Sequence, residues 1–148
     1  MRVIIKLFST LGVGYIPIGP GTFGTLVGVL LFRFVYSLPT VQYLIFVLAF
    51  IFFASWISGL AQWVFGEKDS GKIVIDEVAG FLVAMIGSTW DPITVVLGFV
   101  LFRIFDIWKP FPIRKIDRHL TSGLGVVLDD VLAGVYTLVV LSVINYFL

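Results

Sequence analysis

Three groups of carboxylates stand at the margins of apolar sequence: Asp76 with Glu77, Asp106, and Asp129 with Asp130. Each is within about one helical turn of residues suited to a bilayer, where an unpaired carboxylate costs on the order of 3 kcal/mol. Something cationic must meet them. The chain has no cysteine and a single histidine, His119, which excludes thiolate metal sites, cysteine nucleophiles and any mechanism that needs two histidines. Oxygen-only ligands suit a hard cation, and Mg²⁺ is the expected one, because it accepts a few carboxylates and leaves positions for water and a phosphate. Arg103, Asp106 and Lys109 recur at i, i+3 and i+6, so Asp106 is near two cations on roughly one helical face. Either this is a structural salt bridge, or Asp106 holds metal while Lys109 grips a phosphate oxygen.

The acids also have plainer readings. Asp76 and Asp129 can each cap a helix N-terminus, where the helix dipole favours a negative charge with no ligand present. Capping needs only one acid per helix end, however, and leaves Glu77, Asp106 and Asp130 unexplained. The stretch from Gly12 to Thr22 is rich in glycine and proline. Such a turn into a helix presents backbone N–H groups to an anion, although no Gly-Lys-Ser/Thr follows and a tight turn alone would account for it. His119 is expected to be an ordinary exposed histidine.

The elements that position these groups follow from composition. In 148 residues, 59% are hydrophobic and only 13% charged, with a mean hydropathy of +1.11. A soluble domain of this size cannot hide so many apolar side chains, whereas helices of roughly 20 apolar residues fit a bilayer. The expected fold is a single all-α domain over residues 1–148, a polytopic membrane bundle of about five helices. The spans are read at 22–38, 41–65, 73–89, 93–108 and 126–148, with a loop in water at 66–72 and a polar stretch at 109–125. The third and fourth are short, each about 17 residues or roughly 25 Å, and Pro92 suits the start of the fourth. Ahead of them, Ile4, Leu7, Phe8 and Leu11 recur at helical spacing, as an interfacial helix on anionic lipid requires. The run before Gly12 is too short for a cleavable signal peptide.

If all five spans cross, alternation puts every Lys and Arg except Arg33, and every acid except Asp91, on or near the face that carries the N-terminus. The positive-inside rule makes that face cytoplasmic. Arg33 is expected to snorkel to the far interface. Glu67, Asp69 and Asp117 are expected to be solvated. A net charge of +1 offers no field for nucleic acid, and no nucleic-acid partner is expected. Gly24-xxx-Gly28 and Gly80-xxx-Ala84 are small-xxx-small patterns for close helix packing, and they also permit a homodimer.

In order along the chain, Pro20-Gly21-Thr22-Phe23-Gly24-Thr25, Ile73-Val74-Ile75-Asp76-Glu77-Val78-Ala79-Gly80, Phe102-Arg103-Ile104-Phe105-Asp106-Ile107-Trp108-Lys109-Pro110-Phe111-Pro112-Ile113-Arg114 and Gly123-Leu124-Gly125-Val126-Val127-Leu128-Asp129-Asp130-Val131-Leu132-Ala133-Gly134 closely resemble the motifs of the phosphatidylglycerophosphatase A family. The resemblance runs from about Gly12 to the end, with Thr25 where serine is often found and His119 outside the pattern. It implies a Mg²⁺-dependent phosphatase of the bacterial inner membrane, which removes the terminal phosphate of phosphatidylglycerophosphate to give phosphatidylglycerol. Carried over position by position, Asp76, Glu77, Asp106, Asp129 and Asp130 become the metal-binding and catalytic acids, and Lys109 their cationic partner. The contacts expected for the substrate phosphate are Thr22, Arg103, Lys109 and Arg118.

Direct attack by water is expected over an aspartyl-phosphate, since no Asp-x-Asp-x-Thr/Val element is present. The Asp-x-x-Asp-Gly-x-x-Ala-Arg signature of CDP-alcohol phosphotransferases is also missing. A divalent-cation transporter would need polar groups through the bilayer depth, yet the second span has no charge and the acids crowd one face.

Overall fold

The computed structural model describes residues 1–67, 70–115 and 122–147, and among these every regular element is helical. In chain order they are α1 (Arg2–Thr10), a 3-10 turn (Val13–Tyr15), α2 (Pro20–Val35), α3 (Thr40–Phe65), α4 (Ile75–Ala84), α5 (Pro92–Trp108) and α6 (Gly123–Phe147). Two of these, α3 with 26 residues and α6 with 25, are long and apolar enough to cross a membrane. Arg118 and His119 fall outside the described residues, as do Asp69 and Asp117.

Local chemistry sets most boundaries. Gly19 adopts a left-handed conformation (φ 63°) and hands the chain to Pro20 at the first turn of α2, a position where proline's missing N–H costs nothing. At the other end of α3, Gly66 is also left-handed (φ 69°), and its N–H bonds Gln62 O at 3.0 Å, which closes the helix. α5 opens as Asp91-Pro92 suggests. The Asp91 carboxylate accepts from Thr94 N at 2.9 Å and from Thr94 Oγ1 at 3.0 Å.

Those two bonds, the backbone one first, hold the Asp91 carboxyl below the usual aspartate range. A depressed value in the folded state means that the cap's stabilisation is complete above that range and is lost as pH falls through the folded value. Asp91→Ala is therefore expected to melt below the unmodified chain at pH 7. The gap should close on acidification below the aspartate range, and a gap independent of pH would rule the cap out as its source.

The third expected span is corrected. In place of a helix over 73–89, α4 has 10 residues and stops at Ala84, about 15 Å of rise against a hydrocarbon core of about 30 Å. Beyond it, Ile86 N bonds Val83 O at 3.2 Å and Ser88 N bonds Met85 O at 3.0 Å. Gly87 then takes φ 74°, a conformation that suits glycine and ends the helix. The chain still reaches the far end of α2, where the Trp90 ring is 6.0 Å from Phe32 and 6.1 Å from Tyr36. Arg33 is exposed, and its guanidinium lies over Tyr36 and Trp90 at 5.3 and 5.4 Å.

α4 is buried on every side except at Glu77, as befits a helix that is apolar all round. Small residues let its neighbours approach. A Cβ at Gly24 would stand 2.8 Å from Val74 Cβ, and one at Gly28 would stand 3.2 Å from Phe81, so these α2 glycines face α4. A Cβ at Gly80 would stand 2.5 Å from the backbone oxygen of Asp130 on α6. Both glycine patterns are thus used within one chain. Tyr43 of α3 donates to Leu82 O at 2.8 Å, satisfying a carbonyl near the end of α4 that has no partner within its helix.

On α1, Ile4, Leu7 and Phe8 point outward while Ile5 is buried against α3. Arg2 and Lys6 lie over the rings of Trp63 and Phe65 at 5.5 and 5.6 Å.

Candidate metal centre and phosphate site

At one end of this assembly a cavity of about 280 Å³ is lined by Asp76, Glu77, Arg103, Asp106, Lys109, Asp129 and Asp130, together with Gly19, Pro20, Gly21, Ser70 and Gly71. Four helices and the two loops that enter α2 and α4 contribute. All five acids singled out in the sequence therefore line one cavity, with two cations among them.

Helix geometry explains how the acids divide. Consecutive residues on a helix point about 100° apart, so Asp76 and Glu77 reach one site because that site sits off the end of α4. On α6 the same rotation separates the pair. Asp130 joins Asp76 and Glu77, the three offering carboxylate oxygens all within 4.8 Å of one another. Asp129 turns toward the end of α5, where its Oδ2 accepts from Lys109 Nζ at 2.5 Å. Asp106 is bonded by Arg103 Nη1, one turn earlier on α5. Lys109 is the left-handed residue that terminates α5 (φ 47°), so the i, i+6 periodicity ends there and the cation swings across to α6.

The capping readings are corrected. Val74 occupies the N-cap position of α4, and no side chain caps that helix. Because α6 begins at Gly123, a turn earlier than expected, Asp129 and Asp130 fall in its second turn. The first turn is served by Ser122, whose Oγ accepts from Gly125 N at 3.4 Å.

Two phosphate contacts expected from sequence are not in this cavity. Thr22 faces a neighbouring apolar groove, and Arg118 is outside the described residues. The glycine turn does arrive at the cavity through Gly19, Pro20 and Gly21. Its supply of free amides is reduced, since Thr22 N and Phe23 N both bond Gly19 O, at 2.9 and 3.4 Å. Ser70 and Gly71 were missed. They belong to a stretch read as a loop in water, yet Ser70 is buried, and the chain just beyond it is tied to α1 by Val74 N bonding Ser9 O at 2.9 Å. Their direct lead into Ile73-Val74-Ile75-Asp76-Glu77 was the available signal.

The electrostatics call for a cation. Carboxylates 4.8 Å apart repel by about 3 kcal/mol per ionised pair even at an effective dielectric constant of 20. Glu77 Oε2 is buried and has no hydrogen-bond partner among the described residues. Five carboxylates face two cations in the cavity, and an all-oxygen donor set with excess negative charge fits a hard divalent ion.

An all-helical, strongly apolar chain with two helices long enough to cross a membrane, and a carboxylate cluster able to hold a metal beside Arg103 and Lys109, is consistent with a membrane-associated enzyme of phosphate chemistry. The chain belongs to the phosphatidylglycerophosphatase A family, a family of phosphoric monoester hydrolases, whose model matches residues 6–145. Among its relatives, a phosphatidylglycerophosphatase A of Haemophilus influenzae is 38% identical over 93% of this chain and 85% of its own length. That of Escherichia coli K12 is 36% identical over 91% of this chain and 79% of its own. A Bacteroides thetaiotaomicron protein provisionally named a phosphatidylinositol-3-phosphatase is 33% identical over 91% of this chain and 89% of its own. No solved structure matches the chain.

Proposed function

We propose that this protein hydrolyses the terminal phosphomonoester of phosphatidylglycerophosphate to phosphatidylglycerol and inorganic phosphate, with Mg²⁺ as cofactor, at the cytoplasmic face of a bacterial inner membrane. The observation that carries the reading is the convergence of Asp76, Glu77 and Asp130 beside Arg103 and Lys109 in one cavity, in a chain of this family.

Asp76, Glu77 and Asp130 are the residues that would hold the ion, which when bound polarises the phosphoryl group and offsets developing negative charge. Arg103 and Lys109 bind and orient the phosphate oxygens. Their own partners, Asp106 and Asp129, fix where those cations point. Asp106 and Asp129, each paired with one of these cations, are the carboxylates left to take a proton from the attacking water. The new P–O bond forms from that water as the bond to the glycerol oxygen breaks, and the carboxylate's proton passes to the departing glycerol oxygen.

The test is phosphate release by the purified chain in mixed micelles. Phosphatidylglycerophosphate with Mg²⁺ is expected to be turned over at least about tenfold more efficiently than phosphatidylinositol 3-phosphate, a discrimination within reach of headgroup contacts, and chelation should stop it. A preference for the inositol lipid would instead align this chain with the Bacteroides relative.

Placement of the cavity at the cytoplasmic face rests on five crossings, α4 with residues 85–90 making the third. The chain has no cysteine, so single cysteines report sidedness directly. In intact cells Tyr146→Cys should react with an impermeant maleimide, and Glu67→Cys only after permeabilisation. The reverse pattern would place the cavity outside.

A further inference from the structure

We infer that the groove beside the cavity, between α2 and α5, seats an acyl chain of the lipid substrate, so that the substrate enters sideways from the inner leaflet. This rests on the phosphatase reading above and specifies how its lipid is held.

The groove has a volume of about 480 Å³ and is lined by Phe99, Val100, Ile104, Ile107 and Trp108, with Thr22 and Arg103 as its polar members. Arg103 belongs to both spaces. It lines the acidic cavity and the groove alike, so a molecule in the groove is within reach of the guanidinium that pairs with Asp106. From Phe99 to Trp108 the lining extends about 14 Å along α5 at 1.5 Å per residue, close to half of a hydrocarbon core about 30 Å thick. That is one leaflet, the depth an acyl chain occupies. Trp108, 64% exposed, stands next to Lys109 at the end where the headgroup region is expected, the level tryptophan favours.

Polarity is arranged to match a phospholipid phosphomonoester. Apolar side chains line the deeper part, a hydroxyl and a guanidinium stand at mid-groove, and the carboxylate cluster opens beyond them. A transmembrane helix of another protein would find a guanidinium in the middle of its contact surface. A lipid instead brings the phosphate that this guanidinium pairs with.

The experiment compares long-chain phosphatidylglycerophosphate with its dihexanoyl counterpart on the full chain. Val100→Trp and Ile104→Trp, which fill the groove, are expected to lower the long-chain over short-chain ratio of kcat/KM by about tenfold or more. Val139→Trp, exposed on α6 away from it, should leave the ratio unchanged. An unchanged ratio in both groove variants overturns the inference.

A second measurement needs no turnover. A substrate analogue with a diazirine midway along one acyl chain, photolysed with the unmodified protein, should label residues 99–108 and be displaced by excess long-chain substrate. Label elsewhere, or a chain-to-chain crosslink at this groove without lipid label, overturns it. If the unmodified chain releases phosphate from neither substrate, the phosphatase reading fails, and the labelling decides the groove by itself.

Discussion

Asp130→Asn is expected to reduce Mg²⁺-dependent phosphate release by about three orders of magnitude, the scale seen when a group that stabilises developing charge is removed. The substitution keeps the side chain's shape and deletes one of three carboxylates that lie within 4.8 Å of one another. Its effect on stability has the opposite sign to that on activity. Without metal, the buried cluster pays for its own repulsion, so the variant should melt above the unmodified chain. With Mg²⁺ the order reverses, because a ligand at 100 times its Kd stabilises the folded state by about 2.7 kcal/mol and the variant forfeits most of that. Thermal melts with and without Mg²⁺, read beside the phosphate assay, separate a metal ligand from a structural acid. A variant that kept both its activity and its Mg²⁺ response would remove Asp130 from the site.

Gly80→Ala should be nearly as damaging for a different reason. The added Cβ would stand 2.5 Å from the backbone oxygen of Asp130 and 2.7 Å from Phe102 Cε2, far inside ordinary contact. A backbone atom cannot rotate away, so α6 must shift relative to α4, and overpacking of this kind costs about 1–3 kcal/mol. The residue displaced is the one that completes the carboxylate cluster. Loss of at least about a hundredfold in kcat/KM is expected, on the argument that small misplacements of catalytic groups have effects of that size, together with a lower Tm. Gly134→Ala, which approaches Gly80 from the facing helix, should reproduce both effects. Full activity in both variants would mean that helix spacing here does not set the geometry of the site.

How much of this was legible beforehand differs from element to element. The charge-free run at 41–65 became α3 with one residue added, because nothing in it competes with a helix. Pro92 marked the start of α5 by its pre-set φ, and the structure adds Asp91 as the cap before it. The end of α4 was overrun: Met85 and Ile86 extend the apolar run past Ala84, while Gly87, Ser88 and Thr89 carried the turn signal that the expected span passed over.

Among site residues, all five acids were visible as acids out of place in apolar sequence. Adjacency concealed their division of labour. The close packing of α6 on α4, with Gly80 against the Asp130 backbone and Gly134 against Gly80, decides that Asp130 faces Glu77 while Asp129 faces Lys109. Thr22 failed on the same ground. Two residues after Pro20 and within the first turn of α2, it points to the groove while Pro20 and Gly21 line the cavity.

The claim on which the rest depends is that Asp76, Glu77 and Asp130 together bind a hard divalent ion. Mn²⁺, which shares the oxygen-rich octahedral preference of Mg²⁺, reports it by electron paramagnetic resonance on the purified chain. Saturable Mn²⁺ binding that Mg²⁺ displaces is predicted for the unmodified chain, weakened by at least about a hundredfold when Asp76→Asn and Asp130→Asn are combined. Undiminished Mn²⁺ binding in that double variant would contradict it.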